Sequence, residues 1–205
     1  MFSSDPTRND QATPMTRRIF LAGGITAAAS LAVLALRMRA SSVEAGAGST
    51  AVHGTPGQVT IVNFSSDGKN LGPQTVAKIV KTDGDWLHQL GKNSFGIARQ
   101  ADTEMPYSGV TWNEHAAGIF RCICCETALF NSQTKFESGT GWPSFYAPIA
   151  KENIMEVPDN SLGVERTEVK CARCEAHLGH VFNDGPAPTG LRYCMNSAAM
   201  HFIKA

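Results

Sequence analysis

The sequence predicts a mainly β domain, built of small sheets joined by long loops and held together by a cross-link. Three observations carry that prediction. From Phe120 onward, short apolar runs are broken every eight to twelve residues or so by Gly, Pro, Asn or Asp, the spacing of short strands and turns. Past Gly96 no helical periodicity is sustained. All six cysteines fall between Cys122 and Cys194, whereas a disulfide scaffold would spread them, so metal or catalytic use is favoured.

The 205 residues suffice for one domain with an appendage. Lys plus Arg number 18 and Asp plus Glu number 18, a net charge of zero that gives no chain-wide attraction to nucleic acid or acidic partners. The exception is the start, where Arg8, Arg17, Arg18, Arg37 and Arg39 occur without matching acids. Arg17 and Arg18 precede a moderately apolar run from Ile19 to Leu36, a pattern similar to a twin-arginine export signal. That run, about 18 residues, also just suffices to span a bilayer. Gly23, Gly24, Thr26 and Ser30 weaken it as an anchor and Ala45-Gly46-Ala47 offers a cleavage site, whereas Arg37 and Arg39 favour retention. Residues 1–47 are therefore expected to be an export signal or a membrane anchor, and the only segment in contact with a membrane. The protein is expected outside the cytoplasm, periplasmic or membrane-anchored.

Residues 48–81 are expected to form a linker and a short N-terminal extension. Ser, Gly, Ala, Thr and Pro dominate as far as Gly57, and Val59 to Phe64 then has the β-branched composition of a strand. The domain proper, 82–205, opens with a short helix capped by Asp85, running through Trp86 and Leu90 and ended by Gly91. Strands are expected at Phe120–Cys122, Ile149–Val157, Val164–Cys171 and Gly190–Phe202.

Cys122-x-x-Cys125 and Cys171-x-x-Cys174 lie about 45 residues apart. A two-residue gap lets both sulfurs of one tight turn aim at a single centre, and two such turns complete a tetrahedral thiolate site for zinc. The interval exceeds the roughly 15–20 residues of compact zinc ribbons, so the site must tie together two distant hairpins. Four protein ligands leave no open position, which makes the zinc structural. A redox C-x-x-C would open a helix, and neither pair is followed by helical periodicity. Cys124 inside the first knuckle leaves Cys122 with Cys124 as a competing pairing, though the C-x-x-C gap fits a knuckle better; the spare thiol then behaves as a small buried hydrophobe.

Cys194 stands apart in Arg192-Tyr193-Cys194-Met195-Asn196-Ser197, downstream of Ala176-His177-Leu178-Gly179-His180-Val181-Phe182-Asn183-Asp184. A cysteine nucleophile needs a lowered pKa and a proton source for a departing oxygen. His177 and His180 can supply the proton, Arg192 can favour the thiolate, and Asp184 can orient an imidazole. Taken singly each histidine would be a satisfied structural residue; beside a free cysteine on an adjoining apolar strand they read as a site. In Ser138-Gly139-Thr140-Gly141-Trp142-Pro143-Ser144-Phe145, glycines before Trp-Pro make a tight loop able to hold an indole face open to a ligand, where a core Trp in a turn is the plainer alternative.

These segments, with Leu129-Phe130, Lys135-Phe136 and Thr103-Glu104-Met105-Pro106-Tyr107-Ser108-Gly109, resemble the B-type methionine sulfoxide reductases from about Asp85 to the C-terminus. Tyr107 stands where that family usually has Phe. The resemblance implies two small antiparallel sheets, a β-tent-like fold, with zinc away from the active site. It implies reduction of the R epimer of methionine sulfoxide in proteins, for repair of oxidised chains. Cys194 would be the nucleophile and pass through a sulfenic acid. Trp142 would pack on the substrate methyl, and His177, His180, Phe182, Asp184, Arg192 and Asn196 would shape the pocket and stabilise the polarised sulfoxide. Many members carry a resolving cysteine between the two glycines, where this chain has Thr140. A thioredoxin-like protein or a small thiol is therefore expected as reductant, with the enzyme a monomer.

Two other readings compete. A zinc-ribbon interaction module explains the knuckles but leaves Cys194, the histidines and the Trp loop without a role. A zinc hydrolase using His177 and His180 needs a third ligand, and an H-x-x-H spacing without an acid at helical distance is weak support.

Overall fold

A computed structural model describes residues 51–205 apart from Leu162. The expected signal or anchor at 1–47 lies outside the described residues. Among those described, no helix is long and apolar enough to cross a membrane.

The chain runs β1 (Val52–His53), β2 (Gln58–Phe64), β3 (Asn70–Ala77), β4 (Lys81–Thr82), α1 (Asp83–Gln100), β5 (Gly118–Cys122), β6 (Ala128–Asn131), β7 (Lys135–Phe136), β8 (Ser144–Phe145), β9 (Ile154–Asp159), β10 (Arg166–Cys171), β11 (His177–Phe182), β12 (Arg192–Met195) and β13 (Met200–Lys204). It is mainly β, as the turn spacing predicts. Every pairing is antiparallel. A six-stranded sheet in the order β7-β8-β12-β11-β10-β9 and a three-stranded sheet β13-β5-β6 form the body, with β2-β3 and β1-β4 as two-stranded ribbons.

Aromatic side chains hold the two larger sheets face to face. Phe130 of β6 stacks on Phe145 of β8 at 4.4 Å between ring centroids, Phe120 of β5 meets Phe145 edge-on at 4.9 Å, and Phe130 lies 5.8 Å from Tyr193 of β12. Each such pair contributes about 0.5–1.5 kcal/mol beyond its buried area. Their consequence is positional, since β8 and β12 carry Ser144 and Cys194. The fully buried amide of Asn153 ties β2 into the same frame, accepting from Val62 N and donating to the carbonyls of Val62 and Ala128.

The helix departs from expectation at both ends. Thr82, not Asp85, is the N-cap: its hydroxyl accepts from Asp85 N at 3.2 Å while the Asp85 carboxylate turns back to Thr82, a capping box. Gly91 does break the helix, with φ +70°, but a second helical stretch continues to Gln100 because Phe95, Ile97 and Ala98 bury against the sheets. The expected strand at Gly190–Phe202 is two strands in different sheets. The backbone amides of Ser197 and Ala198 donate to the Glu104 carboxylate, at 2.5 and 3.0 Å, and the resulting 3-10 turn redirects the chain from β12 into β13.

Candidate active site

The knuckle thiols sit in the turns β5–β6 and β10–β11, and the two turns share two equivalent backbone bonds. In the first, Glu126 N donates to Cys122 O at 3.0 Å and Cys122 N to Thr127 O; in the second, Glu175 N donates to Cys171 O at 2.9 Å and Cys171 N to Ala176 O. Each puts a non-glycine residue in the left-handed region, Glu126 at φ +64° and Glu175 at φ +59°, a conformation kept only where surroundings over-determine it. The sulfurs of Cys122, Cys125, Cys171 and Cys174 are buried and all lie within 4.8 Å of one another, with Cys122–Cys174 at 3.6 Å and Cys125–Cys171 at 3.5 Å. Tetrahedral thiolate bonds of about 2.3 Å would set sulfurs roughly 3.8 Å apart, so the donor set fits a structural metal as it stands. Cys124 is buried beside the cluster but is not one of the four.

Cys194 lies in the six-stranded sheet, half buried, with Ser144 of β8 opposite it on one side and His180 of β11 opposite on the other. Directly opposed residues of antiparallel strands share a face, with Cβ atoms about 4.5–5.5 Å apart. The strands come this close because position 179 is glycine. A Cβ there would lie 2.1 Å from the Cys194 carbonyl oxygen and 2.9 Å from Met195 Cα. Beside it a β-bulge shifts the β10–β11 register. Regular pleating would send residues three apart to opposite faces; instead the His177 and His180 rings meet edge to face at 5.4 Å.

A cavity of about 190 Å³ opens over Cys194, lined by Trp142, Phe182, His180, Asn196, Thr103 and Arg166 among others. Trp142 is pinned by its indole N–H to Glu104 O at 3.0 Å, and the Ser138–Trp142 loop brings the Thr140 hydroxyl within 3.9 Å of Cys194 Sγ. Asn196 is buried and braces this wall: it accepts from Glu104 N at 3.1 Å, and its side chain and backbone both donate to Leu178 O. His177 lies deeper, lining an adjoining cavity that shares His180, Arg166 and Thr103 with the first. Arg192 packs over the Phe182 ring at 4.5 Å.

Two expectations about this site change. Asp184 does not orient an imidazole; it is exposed and accepts two 2.9 Å bonds from Arg192, because the Arg192 fork at the start of the neighbouring strand β12 offers a planar bidentate partner. The imidazoles are held by carboxylates that no motif marked: His180 Nε2 by Asp159 at 2.7 Å, His177 Nδ1 by Glu168 at 2.7 Å. Asp159 also holds Arg166 at 2.6 Å. Finally, the Cys194 thiol is raised, not lowered. Burial pushes it up, and the Thr140 hydroxyl, the Arg192 charge and the Ser144 hydroxyl only partly oppose that. Burial likewise pulls His180 below its ordinary value against the hydrogen bond it donates to Asp159, whose own carboxyl is held well below the usual range by Ser161 and His180.

At neutral pH the resting pair is therefore a thiol facing a neutral imidazole. Asp159, ionised, can only accept, so His180 carries its proton on Nε2 and presents a bare Nδ1. A half-buried thiol opposite a neutral imidazole across two paired strands, in an aromatic pocket and apart from a separate thiolate cluster, belongs to a cysteine-dependent enzyme. The comparisons with known proteins give that class its family. The SelR domain model matches residues 90–204. A peptide methionine sulfoxide reductase MsrB of Herminiimonas arsenicoxydans is 51% identical over 125 residues, 61% of this chain and 91% of that protein. The protein of the same name from Pseudomonas putida strain GB-1 is 55% identical over 123 residues, 60% and 94% of the two chains, and that of Pseudomonas fluorescens strain Pf0-1 is 52% identical over 126 residues, 62% and 96%. This chain belongs to the B-type peptide methionine sulfoxide reductase family.

Proposed function

We propose that the protein reduces the R epimer of methionine sulfoxide in oxidised proteins to methionine, with Cys194 as the nucleophile and His180 as its proton partner. The observation that carries the reading is the pairing of Cys194 with His180 across β11 and β12, under a cavity walled by Trp142 and Phe182. The indole and phenyl faces suit the methyl and thioether carbons of the substrate, while the polar wall at His180 suits the sulfoxide oxygen. As the Cys194 sulfur attacks the electrophilic sulfur, its proton passes to His180 Nδ1, and Asp159 on the other nitrogen stabilises the imidazolium. His180 returns that proton to the oxygen. The oxygen then passes to the cysteine sulfur: the sulfoxide S–O bond and the S–S bond made in the attack both break, an S–O bond to Cys194 forms, and two electrons have gone from the cysteine sulfur to the methionine sulfur. Methionine leaves, and Cys194 remains as the sulfenic acid. Asn196, Glu104 and Asp184 with Arg192 keep the pocket in shape, and His177, held by Glu168, backs His180.

Reduction of the sulfenic acid needs two thiols, giving a disulfide and water. Thr140 occupies the place beside Cys194 from which an internal thiol would act, and Cys124 is buried against the metal-site cysteines. An external thioredoxin-like protein or small thiol is the fitting donor. One equivalent of substrate without reductant, followed by a sulfenic-acid trap and peptide mapping, should place the adduct on Cys194; a Cys124–Cys194 disulfide would contradict this route.

The metal is assigned as zinc on the soft four-thiolate set, and its role is structural because no ligand position is left open. A single chain supplies Trp142, His180 and Cys194, so a monomer suffices. The paired Arg17 and Arg18 support export by a route for folded cargo, which would let the thiolates take up zinc before meeting an oxidising compartment. Replacing both by Lys should leave the protein inside the cell; unchanged delivery would refute the export reading.

A further inference from the structure

We propose that the loop following Thr103 is a docking rim for the polypeptide that flanks the oxidised methionine, and that it selects segments with apolar side chains next to that residue. The inference rests on the reductase reading above and concerns which methionine sulfoxides the site takes.

Thr103 lines the catalytic cavity and Glu104 is fastened to it: Glu104 O holds the Trp142 indole, Glu104 N bonds Asn196, and its carboxylate takes the amides of Ser197 and Ala198. From this anchored wall the chain leads outward through three large apolar side chains left in water. Met105 is 76% exposed, Tyr107 56% and Val110 91%, three of the seven exposed large hydrophobics among the described residues within one short stretch. The loop is no frayed segment. Tyr107 N donates to Gly141 O at 2.8 Å, its hydroxyl donates to Gly139 O at 2.7 Å, and its ring meets Trp112 edge-on at 5.2 Å. Further along, Thr111 bonds Ser197.

Apolar side chains left in water on an anchored loop gain by being covered, and because that loop leads directly from the cavity wall at Thr103 the occupant is the rest of the substrate chain. The substrate's chemistry agrees. Methionines occupy apolar surroundings, and oxidation disrupts them, so a methionine sulfoxide arrives on a loosened segment whose neighbours are themselves apolar. Burying on the order of 55 Å² of apolar surface on such a rim is worth about tenfold in binding.

The test compares the full-length protein with the variant Met105→Ser/Val110→Ser, two exposed positions whose replacement leaves packing untouched. The substrates are two synthetic peptides with a central methionine (R)-sulfoxide, one flanked by Leu and Phe and one by Ser and Gly. The wild type should favour the apolar-flanked peptide by about tenfold in kcat/KM, and the variant should lose most of that preference through KM, with an unchanged melting temperature. A wild type indifferent to the flanks, or a variant that keeps the preference, would overturn the proposal. A wild type inactive on both peptides and on a blocked single methionine (R)-sulfoxide would overturn the reductase reading beneath it.

Discussion

Replacing Gly179 by Ala tests whether the close approach of β11 and β12 makes the site work. The added methyl would stand 2.1 Å from the Cys194 carbonyl oxygen and 2.9 Å from Met195 Cα, both in backbone that no side-chain rotation can move. Restoring a 3.0 Å contact requires the strands to part by about 0.9 Å at the point where His180 faces Cys194. Overpacking of this kind costs about 1–3 kcal/mol in stability, which a folded domain survives, whereas a misplacement near 1 Å can cost roughly a hundredfold in rate. Gly179→Ala should therefore lower kcat/KM about a hundredfold while the protein still folds and keeps its metal. Gly190→Ala is the control: its φ is positive, at +71°, as that of Gly179 is, at +155°, but nothing lies within 4 Å of the new methyl, so it should show the backbone penalty of about 1 kcal/mol without the catalytic loss. Steady-state kinetics on a methionine (R)-sulfoxide peptide, thermal melts and metal content decide the matter. A Gly179→Ala enzyme with wild-type kcat/KM, or one that loses no more activity than Gly190→Ala, would refute the reasoning.

Three further outcomes follow from the geometry. Serine at any one of Cys122, Cys125, Cys171 or Cys174 should release zinc and unfold most of the protein, since a structural thiolate site contributes apparent binding energy of about 10–16 kcal/mol, whereas Cys124→Ser should retain the metal by elemental analysis. Asp159→Asn should cut kcat about tenfold or more by leaving the imidazolium of His180 unsupported. Because His180 must start neutral and Asp159 raises its proton affinity, the acid limb of kcat/KM lies below His180's ordinary range and should move lower still in Asp159→Asn; a limb that stays in place would exclude His180 as its source. Thr140→Cys should close a disulfide with Cys194 after one equivalent of substrate, seen as a loss of two hydrogens in the intact mass, because the Thr140 side chain already reaches within 3.9 Å of Cys194 Sγ.

Chemistry carried by local spacing was legible in the sequence. The C-x-x-C gaps specify matching turns, and the turns bring four sulfurs together whatever the intervening chain does. Cys194, Trp142, Phe182, His180 and Asn196 line one cavity because each lies in a short motif on or beside a neighbouring strand. What could not be read was pairing across the sheet. Asp159 is an ordinary acid at the end of β9 and Glu168 one in the middle of β10, and only the order β11-β10-β9, with its bulge, turns them into the partners of His180 and His177. Asp184 was the nearest acid in sequence, but Arg192 offered it the better geometry. The raised Cys194 thiol is likewise a product of burial, which motifs do not report. The helix start does carry a sequence signal: Thr82 with Asp85 three residues on has the form of a capping box, with Thr82 rather than Asp85 as the cap.

The most direct test of the account is turnover of the two methionine sulfoxide epimers, measured separately with an excess of thiol, by the wild type and by Cys194→Ser. The wild type should consume the R epimer alone, and Cys194→Ser should consume neither, at unchanged zinc content and melting temperature. Equal consumption of the S epimer, or an active Cys194→Ser protein, would contradict it.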